Sequence, residues 1–227
     1  MLDELKEANE YVVSKIEEKD PLILEMEAFA IENNVPIVTK EVAKYLDFLT
    51  SSHNFKNILE IGTAIGYSGT IMGRVAKKNG GKLTTIEIDE IRYNQALENF
   101  KKGELLNSVN LILGDGVEEV KKLNEKFDFI FIDASKGHYM EFFTDSFERL
   151  ADDGMIFIDN IMFRGYLYKE YPKRFKTIVR RLDEFITYLS KNHNFVLLPF
   201  GDGIGLVRKE ITKEWLKKNE KNYIITK

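Results

Sequence analysis

Two apolar runs in the second half of the chain constrain its fold most strongly, because each ends abruptly on a carboxylate. The run FDFIFIDASKGHY (127–139) reaches Asp133, and the run GMIFIDNIMFRG (154–165) reaches Asp159, which Asn160 follows directly. Short apolar runs of this composition are typical of buried parallel strands. Burying an aspartate at the end of a strand is costly unless another group pairs with it.

The two strand ends together predict a metal site. The carboxyl ends of parallel strands share one edge of a sheet, where open α/β folds bind their ligands. If the strands lie side by side, Asp133, Asp159 and Asn160 converge as three oxygen ligands. Such a donor set suits a hard divalent cation such as Mg²⁺.

Strand-like and helix-like segments alternate from residue 57 onward. This alternation predicts a doubly wound, mostly parallel α/β sheet of seven strands with right-handed crossovers. The predicted strands are 57–61, 82–88, 109–113, 127–132, 155–158, 195–199 and 204–208, the last two forming a hairpin, and the predicted helices between them are 67–78, 90–101, 117–123, 139–150 and 172–193.

Three further helices are predicted before the first strand, at 3–18, 21–33 and 40–49. Asp20 and Thr39 are predicted to cap the second and third of these helices. Because no linker or repeat interrupts the pattern, we interpret 1–227 as a single domain. Residues 1–52 form its helical preamble, and residues 211–227, with Trp215, form a C-terminal extension.

Composition limits the class of protein. The 227 residues include no cysteine, which excludes disulfides, thiolate metal ligands and a cysteine nucleophile. No stretch approaches the ~18 apolar residues of a membrane span, and the acidic start resembles no secretory signal, so we expect a cytoplasmic protein.

Residues 169–227 carry fourteen bases against seven acids, whereas residues 1–33 carry three bases against ten acids. The basic end favours a polyanionic partner, and the alternative is a set of solvated surface helices with charge pairing between subunits.

The turn ILEIGTAIGYS (58–68) predicts a cofactor site. Its glycines, Gly62 and Gly66, have the spacing G-x-x-x-G, whereas a dinucleotide fingerprint is G-x-G-x-x-G. Glu60 lies two positions before the first glycine, where a carboxylate would repel a phosphate and attract a cation. The turn therefore favours an amine or sulfonium ligand, and S-adenosylmethionine carries both groups.

Two further acids at strand ends fit the same cofactor. Glu87 ends the second strand, where an acid in doubly wound folds binds the ribose hydroxyls. Asp115 follows the third strand and is placed to accept a hydrogen bond from the adenine amine, with the Gly116 amide nearby. Each acid could instead cap the helix that follows it. A polar residue at the end of four successive strands favours the cofactor.

Six motifs, in this order, resemble the cation-dependent O-methyltransferases of the catechol and caffeoyl-coenzyme A type. They are ILEIGTAIGYS, TIE (85–87), GDG (114–116), FIDASKGHY, DNIMFRG and LPFGDG, and the resemblance spans roughly residues 10–209. The resemblance implies Mg²⁺ on Asp133, Asp159 and Asn160, and a homodimer is expected. It also implies cofactor contacts from Val38, Gly62, Ser68, Glu87, Asp115, Gly116 and Asp133.

The resemblance implies that Lys136 is the general base, so that Lys136 and Asp133 are the expected catalytic residues. A divalent cation nearby would disfavour the ammonium form of the lysine. The alternative is a solvated loop lysine. Two residues depart from the family pattern: Gly116 stands where alanine is usual, and Phe163 stands where the plant caffeoyl enzymes carry tryptophan.

Within that family the motifs most resemble bacterial enzymes that convert 5-hydroxyuridine to 5-methoxyuridine in the tRNA anticodon loop. A basic segment interleaved with tyrosines would suit phosphate contact and base stacking. We therefore expect tRNA as the partner, with a small phenol or catechol as the alternative acceptor. A non-catalytic cofactor-binding protein is disfavoured because the metal ligands and Lys136 are present. The segment comprises Arg164, Lys169, Lys173, Arg174, Lys176, Arg180 and Arg181 with Tyr166, Tyr168 and Tyr171, and an ordinary basic surface helix would also explain it.

Overall fold

Seven strands form a single sheet within residues 2–210, the part of the chain that the computed structural model describes. The strand order is β3-β2-β1-β4-β5-β7-β6, and only β7 runs antiparallel to its neighbours. The predicted doubly wound, mostly parallel sheet with a C-terminal hairpin is therefore confirmed. The strands are β1 (Asn57–Ile61), β2 (Lys82–Glu87), β3 (Val109–Leu113), β4 (Phe127–Ile132), β5 (Leu150–Ile158), β6 (Asn194–Leu198) and β7 (Ile204–Arg208).

Helices cover both faces of the sheet. The helices α2, α3 and α4 pack on one face, and α6, α7 and α8 pack on the other. The helix α5 packs beside α4 against β2 and β3. Their bounds are α1 (Leu2–Ser14), α2 (Pro21–Glu32), α3 (Lys40–Ser52), α4 (Tyr67–Lys78), α5 (Glu90–Lys102), α6 (Gly116–Lys122), α7 (Tyr139–Arg149) and α8 (Lys176–Asn192).

The central strands are apolar on both sides, which explains their unbroken hydrophobic runs. Phe129, Phe131 and Phe157 point into the layer of α2, α3 and α4. Ile130 and Ile132 point into the opposite layer, because successive side chains of a strand alternate between faces. All five side chains are fully buried. A strand that is apolar on both faces is stable only in the middle of the sheet, where helices cover both faces. The strands β4 and β5 pair there, so their ends lie beside each other.

Two predicted boundaries are wrong at the start of β5 and around α8. The strand β5 begins at Leu150 rather than at 155, because Phe127 pairs with Leu150 while Phe129 pairs with Met155. The extra residues form a bulge, in which Asp153 has a φ of +64°, and their turn-like composition hid the strand. The helix predicted for 172–193 is a 3-10 turn (Lys173–Phe175) followed by α8.

The predicted N-terminal caps have different outcomes. The Asp20 carboxylate accepts hydrogen bonds from the amides of Leu22 (3.0 Å) and Ile23 (3.1 Å), so this cap of α2 is confirmed. Thr39 occupies the cap position of α3, but its side chain makes no capping hydrogen bond. The first helix ends at Ser14 rather than at residue 18. Residues 211–227, including Trp215, lie outside the described residues.

The turn after β1 depends on glycine. Gly62 has a φ of +99°, and a Cβ atom placed on it would lie 2.0 Å from the backbone oxygen of Asp133. The backbones that follow β1 and β4 therefore approach each other more closely than any side chain would allow. Gly80 also has a positive φ (+74°), but a Cβ atom there would meet nothing within 4 Å.

We expect Gly62→Ala to destabilise the fold by more than about 4 kcal/mol, the range of severe backbone and packing defects. Gly80→Ala is the matched control, and its positive φ alone should cost about 1–2 kcal/mol. Denaturant unfolding of both variants measures the difference. Equal losses in the two variants would show that the approach of Gly62 to Asp133 has no energetic consequence.

Candidate active site

A cavity of about 630 Å³ lies at the carboxyl edge of the sheet. Each parallel strand contributes to its wall through the residue at or just after its end. The strand order thus brings together positions that are far apart in the sequence. These wall residues are Gly62 after β1, Glu87 at the end of β2, Asp115 after β3, Asp133 after β4 and Asn160 after β5.

Glu87 and Asp115 lie on the cavity wall and also hold local backbone. The Glu87 carboxylate is buried and accepts hydrogen bonds from the amides of Ala64 (2.7 Å) and Asp89 (2.9 Å). Asp115 is the N-cap of α6 and accepts a hydrogen bond from the Val117 amide at 2.9 Å. The alternative of a backbone role therefore holds for both acids, and their place on the wall leaves the cofactor role open.

The three predicted metal ligands, Asp133, Asp159 and Asn160, lie close together in the structure. The amide Nδ2 of Asn160 donates to Oδ1 of Asp133 at 3.3 Å, and the backbone amide of Asn160 donates to Oδ1 of Asp159 at 2.7 Å. The hydroxyl of Tyr139 donates to the backbone oxygen of Asp159 at 2.8 Å and holds the end of β5. Asp159 itself is almost fully buried.

Burial disfavours the ionised form of both aspartates, and the Asp133 carboxylate disfavours it further at Asp159. Burial raises the pKa of Asp133, although Lys136 and the Asn160 amide oppose the shift. Burial and then the Asp133 carboxylate raise the pKa of Asp159 to about 7. A bound cation would relieve both effects, because it favours the ionised form of each carboxyl group. Rotation of the Asn160 side-chain amide by half a turn would place its oxygen where its nitrogen now lies.

Asp202 is a fourth oxygen-bearing residue at this site that the sequence interpretation missed. It lies on the cavity wall, and its charge contributes to the raised pKa of Asp159. Its carboxylate accepts a hydrogen bond from the backbone amide of Arg164, which joins the hairpin before β7 to the loop after β5. In residues 2–210 no cluster of three or more His, Cys, Asp or Glu side chains is arranged to hold a metal. The candidate ligand set is therefore two carboxylates and one amide, and the GDG of LPFGDG was the available signal for Asp202.

Lys136 lies on the cavity wall next to the two aspartates. Its charge opposes the raised pKa of both Asp133 and Asp159. The Lys136 ammonium also lies 5.9 Å from the ring centre of Phe163, which lines the same cavity. This position gives Lys136 access to whatever the cavity holds, unlike a lysine in a solvated loop.

Glu60 does not line the cavity, in contrast to the predicted place of its carboxylate beside a cationic ligand. Strand alternation points its side chain into the layer of α4, where it is fully buried. Its two carboxyl oxygens accept hydrogen bonds from Ser68 (2.5 Å) and Thr85 (2.6 Å). Burial raises the pKa of Glu60 to about 8, so the group is mostly neutral at neutral pH and does not offer the negative charge that was expected to attract a cation.

Ser68 and Val38, two other predicted cofactor contacts, also lie behind the wall. Ser68 donates to Glu60, and Val38 is buried in the helical layer. Pro36 and Ile37, just before Val38, line the cavity instead. The predicted contacts Gly62 and Gly116 line it as well. Contacts from Ser68 and Val38 to a cofactor stay predictions.

The basic segment is exposed beside the cavity mouth, but its aromatic residues mostly contact one another. Arg164 lies on the wall, and the bases of 169–181 are exposed to solvent. Tyr166 stacks on Phe175 with ring centres 5.5 Å apart, and Phe163 meets both rings edge-on. Tyr168, 60% exposed, is the tyrosine of this segment most available to a partner.

The chain matches the O-methyltransferase family over residues 14–210. It is 30% identical to the tapetum-specific methyltransferase 1 of Arabidopsis thaliana over 189 residues, 79% of each chain. It is 27% identical to caffeoyl-CoA O-methyltransferase 1 of Eucalyptus globulus, over 78% of this chain and 76% of that one. The chain therefore belongs to this family of O-methyltransferases, as the motifs predicted.

Solved structures agree with this assignment. The O-methyltransferase of Bacillus cereus in complex with S-adenosylhomocysteine superposes with a TM-score of 0.78 at 25% identity, covering 92% of this chain and 100% of that one. A Podospora anserina methyltransferase bound to S-adenosylhomocysteine gives a TM-score of 0.82 at 22% identity, covering 92% and 96%, and supports the fold alone. The predicted enzyme class, an S-adenosylmethionine-dependent O-methyltransferase, is confirmed at the level of the family. Among the described helices, none is long and apolar enough to cross a membrane.

The buried Glu60 carboxyl group makes stability depend on pH. The folded protein holds a proton that the unfolded chain releases, so the free energy of unfolding should fall as the pH rises from 4.5 to about 8. Glu60→Gln keeps a neutral group of the same shape, and it should remove a decrease on the order of a few kcal/mol across this range. Denaturant unfolding across the range measures the effect, and an unchanged pH dependence in the variant would contradict a proton on Glu60.

Proposed function

We propose that this enzyme transfers the methyl group of S-adenosylmethionine to a ring hydroxyl held in the cavity at the carboxyl edge of the sheet. The observation that carries the proposal is the juxtaposition of two half-sites in one cavity. Glu87, Asp115 and the glycine backbone of the β1 turn form one half, and Asp133, Asn160 and Lys136 form the other. A nucleoside cofactor suits the first half, because the buried carboxylate of Glu87 and the exposed carboxylate of Asp115 can accept hydrogen bonds from ribose hydroxyls and an adenine amine.

The second half would hold a divalent cation. Asp133, Asp159 and Asn160 are the ligands that we assign to it, since oxygen donors suit Mg²⁺ and Lys136 only partly offsets the raised pKa of the two carboxyl groups. When bound, the cation would orient the acceptor and lower the pKa of its hydroxyl. The requirement for a cation stays a proposal.

Lys136 is the proton acceptor in this proposal. Its amine, in the neutral form, takes the proton of the acceptor hydroxyl and becomes an ammonium that the carboxylates of Asp133 and Asp202 stabilise. The acceptor oxygen forms a bond to the methyl carbon as the carbon–sulfur bond breaks, and the products are a methyl ether and S-adenosylhomocysteine. The walls of the cavity keep both reactants in place during this exchange.

We propose 5-hydroxyuridine in a tRNA anticodon loop as the acceptor. The support is electrostatic: exposed bases from Arg164 to Arg181 extend from the cavity wall onto α8, and phosphate groups bind such surfaces. Exposed Tyr168, with the ammonium of Lys169 over its ring at 5.5 Å, offers a face on which a base can stack.

A small phenolic acceptor is the second candidate, and two observations favour it. Several relatives are named for caffeoyl-CoA, whose caffeoyl group is phenolic. The rings of Phe163, Tyr166 and Phe175 form an apolar group beside the metal half-site, against which a planar ring can pack. Both acceptors require the same chemistry at the hydroxyl, and they differ in whether the basic surface takes part.

Removal of the cation should abolish methyl transfer, and added Mg²⁺ should restore it. Asp159→Ala should lower activity on the order of 100-fold or more, because a ligand is lost. The variant should still fold, since ionisation of Asp159 opposes folding as the pH rises from 3.8 to about 7 and the variant lacks this group. Asp183→Ala, an exposed change on α8, is the control. Full activity in excess chelator would contradict the metal role.

The acceptor can be identified by varying salt and surface charge. Binding of tRNA should weaken steeply with salt, whereas binding of a neutral catechol should barely respond. Charge reversal of Arg174 and Arg180 should lower kcat/KM for hydroxyuridine-containing tRNA by about tenfold or more and leave catechol turnover unchanged. Lys101→Glu with Lys121→Glu, two exposed changes on α5 and α6 outside the basic segment, is the matched control.

Nucleoside mass spectrometry of tRNA from a deletion strain provides the direct measurement. We expect 5-hydroxyuridine to accumulate and its methyl ether to disappear. If the purified enzyme leaves such tRNA unmethylated and turns over a small catechol efficiently, the acceptor is phenolic.

A further inference from the structure

One buried carboxylate, that of Glu27 in α2, joins the first residues of two other helices. The hydroxyl of Tyr67, the first residue of α4, donates to Oε1 of Glu27 at 2.9 Å. The ammonium of Lys40, the first residue of α3, lies 2.7 Å from Oε2. The two oxygens of Glu27 therefore each hold the start of a different helix.

Neither of these helices has a side-chain cap of its own. Thr39 makes no capping hydrogen bond to α3, and the N-cap of α4 is Gly66, which has no side chain to offer. Side-chain caps normally fix the direction in which the chain enters a helix. In this protein the Glu27 carboxylate instead contacts the first residue of each of the two helices.

The segments that enter these helices form walls of the cavity. Pro36 and Ile37 precede α3, Gly62 and Ala64 precede α4, and all four line the cavity. The separation between the starts of α3 and α4 thus affects the separation between two walls of the proposed cofactor site.

The helix α2 is itself well anchored, so it can serve as the fixed element. Its N-terminus is capped by Asp20 and continues into Pro21, whose φ suits the first helical turn. The guanidinium of Arg74 in α4 pairs with Asp20 at 2.9 Å. Burial and the Glu27 carboxylate raise the pKa of Tyr67, which keeps its hydroxyl protonated as a donor.

We propose that Glu27 is a positioning residue for the cofactor, setting the spacing between the 36–39 segment and the 62–66 turn through Lys40 and Tyr67. This inference rests on the proposed function, in which S-adenosylmethionine occupies the cavity between these segments. Glu27 itself does not line that cavity. Its effect reaches the cofactor only through the two helix starts.

The test separates cofactor affinity from catalysis. Glu27→Gln keeps an acceptor for Tyr67 and loses the charge that attracts Lys40, while Tyr67→Phe removes the other contact. Each variant should weaken S-adenosylhomocysteine binding by about fivefold to tenfold, because the binding-competent spacing is then populated less. The KM for S-adenosylmethionine should rise to the same extent, while kcat at saturating cofactor and the KM for the acceptor stay within about twofold of wild type.

Glu25→Gln is the matched control, because Glu25 lies on the same helix and pairs with Lys102 at 2.5 Å on the exposed side. It should leave the affinity unchanged. Unchanged affinity in both Glu27→Gln and Tyr67→Phe would overturn the inference, as would an equal loss in the control. A fall in kcat at saturating cofactor with KM unchanged would overturn it as well.

Glu87→Gln tests the proposed function separately, because it alters a carboxylate on the cavity wall. If wild-type protein binds S-adenosylhomocysteine and Glu87→Gln binds it equally well, the cofactor lies elsewhere and the inference fails with the proposed function. If Glu87→Gln weakens binding and the Glu27 and Tyr67 variants do not, only the inference fails.

Discussion

The burial of two carboxyl groups at neighbouring strand ends is the constraint on which the site depends. Asp133 and Asp159 follow β4 and the core of β5; burial raises the pKa of both, and the Asp133 carboxylate raises that of Asp159 further. Buried carboxylates need hydrogen-bond donors or positive charge beside them, and Asn160 and Lys136 supply part of both. The Tyr139 hydroxyl holds the strand end by donating to the backbone oxygen of Asp159. The same shortage of charge makes this edge suited to a cation, so the requirements of the fold and of the chemistry coincide there.

Carboxyl groups in this protein differ in role according to the direction in which their strand points them. Glu60 and Glu87 both belong to strands beside the glycine-rich turn. Glu60 faces α4, accepts two hydroxyl hydrogen bonds and becomes a mostly neutral group of the core. Glu87, at the very end of β2, faces the cavity and holds the amide of Ala64 in the turn. The sequence alone shows both as acids on apolar strands, and this conceals the difference.

The cavity walls are held in place by residues of the C-terminal hairpin and of the helical layer. The hydrogen bond that the backbone amide of Arg164 donates to the Asp202 carboxylate holds the loop after β5, and the contacts of Glu27 hold the entries to α3 and α4. The loop after β5 and the entries to α3 and α4 are therefore each held by a residue that is distant in the sequence. Such cross-attachment lets a site built mostly on loops keep a defined geometry, because loops alone have little packing to restrain them.

The amino-acid sequence by itself determined the alternating elements, the parallel sheet and the polar residues at its carboxyl edge, because apolar runs, glycine turns and strand-end acids are local signals. It did not determine the bulge of β5 at Asp153, whose residues look like a turn, or the place of Asp202 beside Asp159. Nor did it reveal that Glu60 faces away from the cavity or that Glu27 joins two helices. These features arise from the register of distant strands and the packing of helices, and only the tertiary structure decides which distant groups meet.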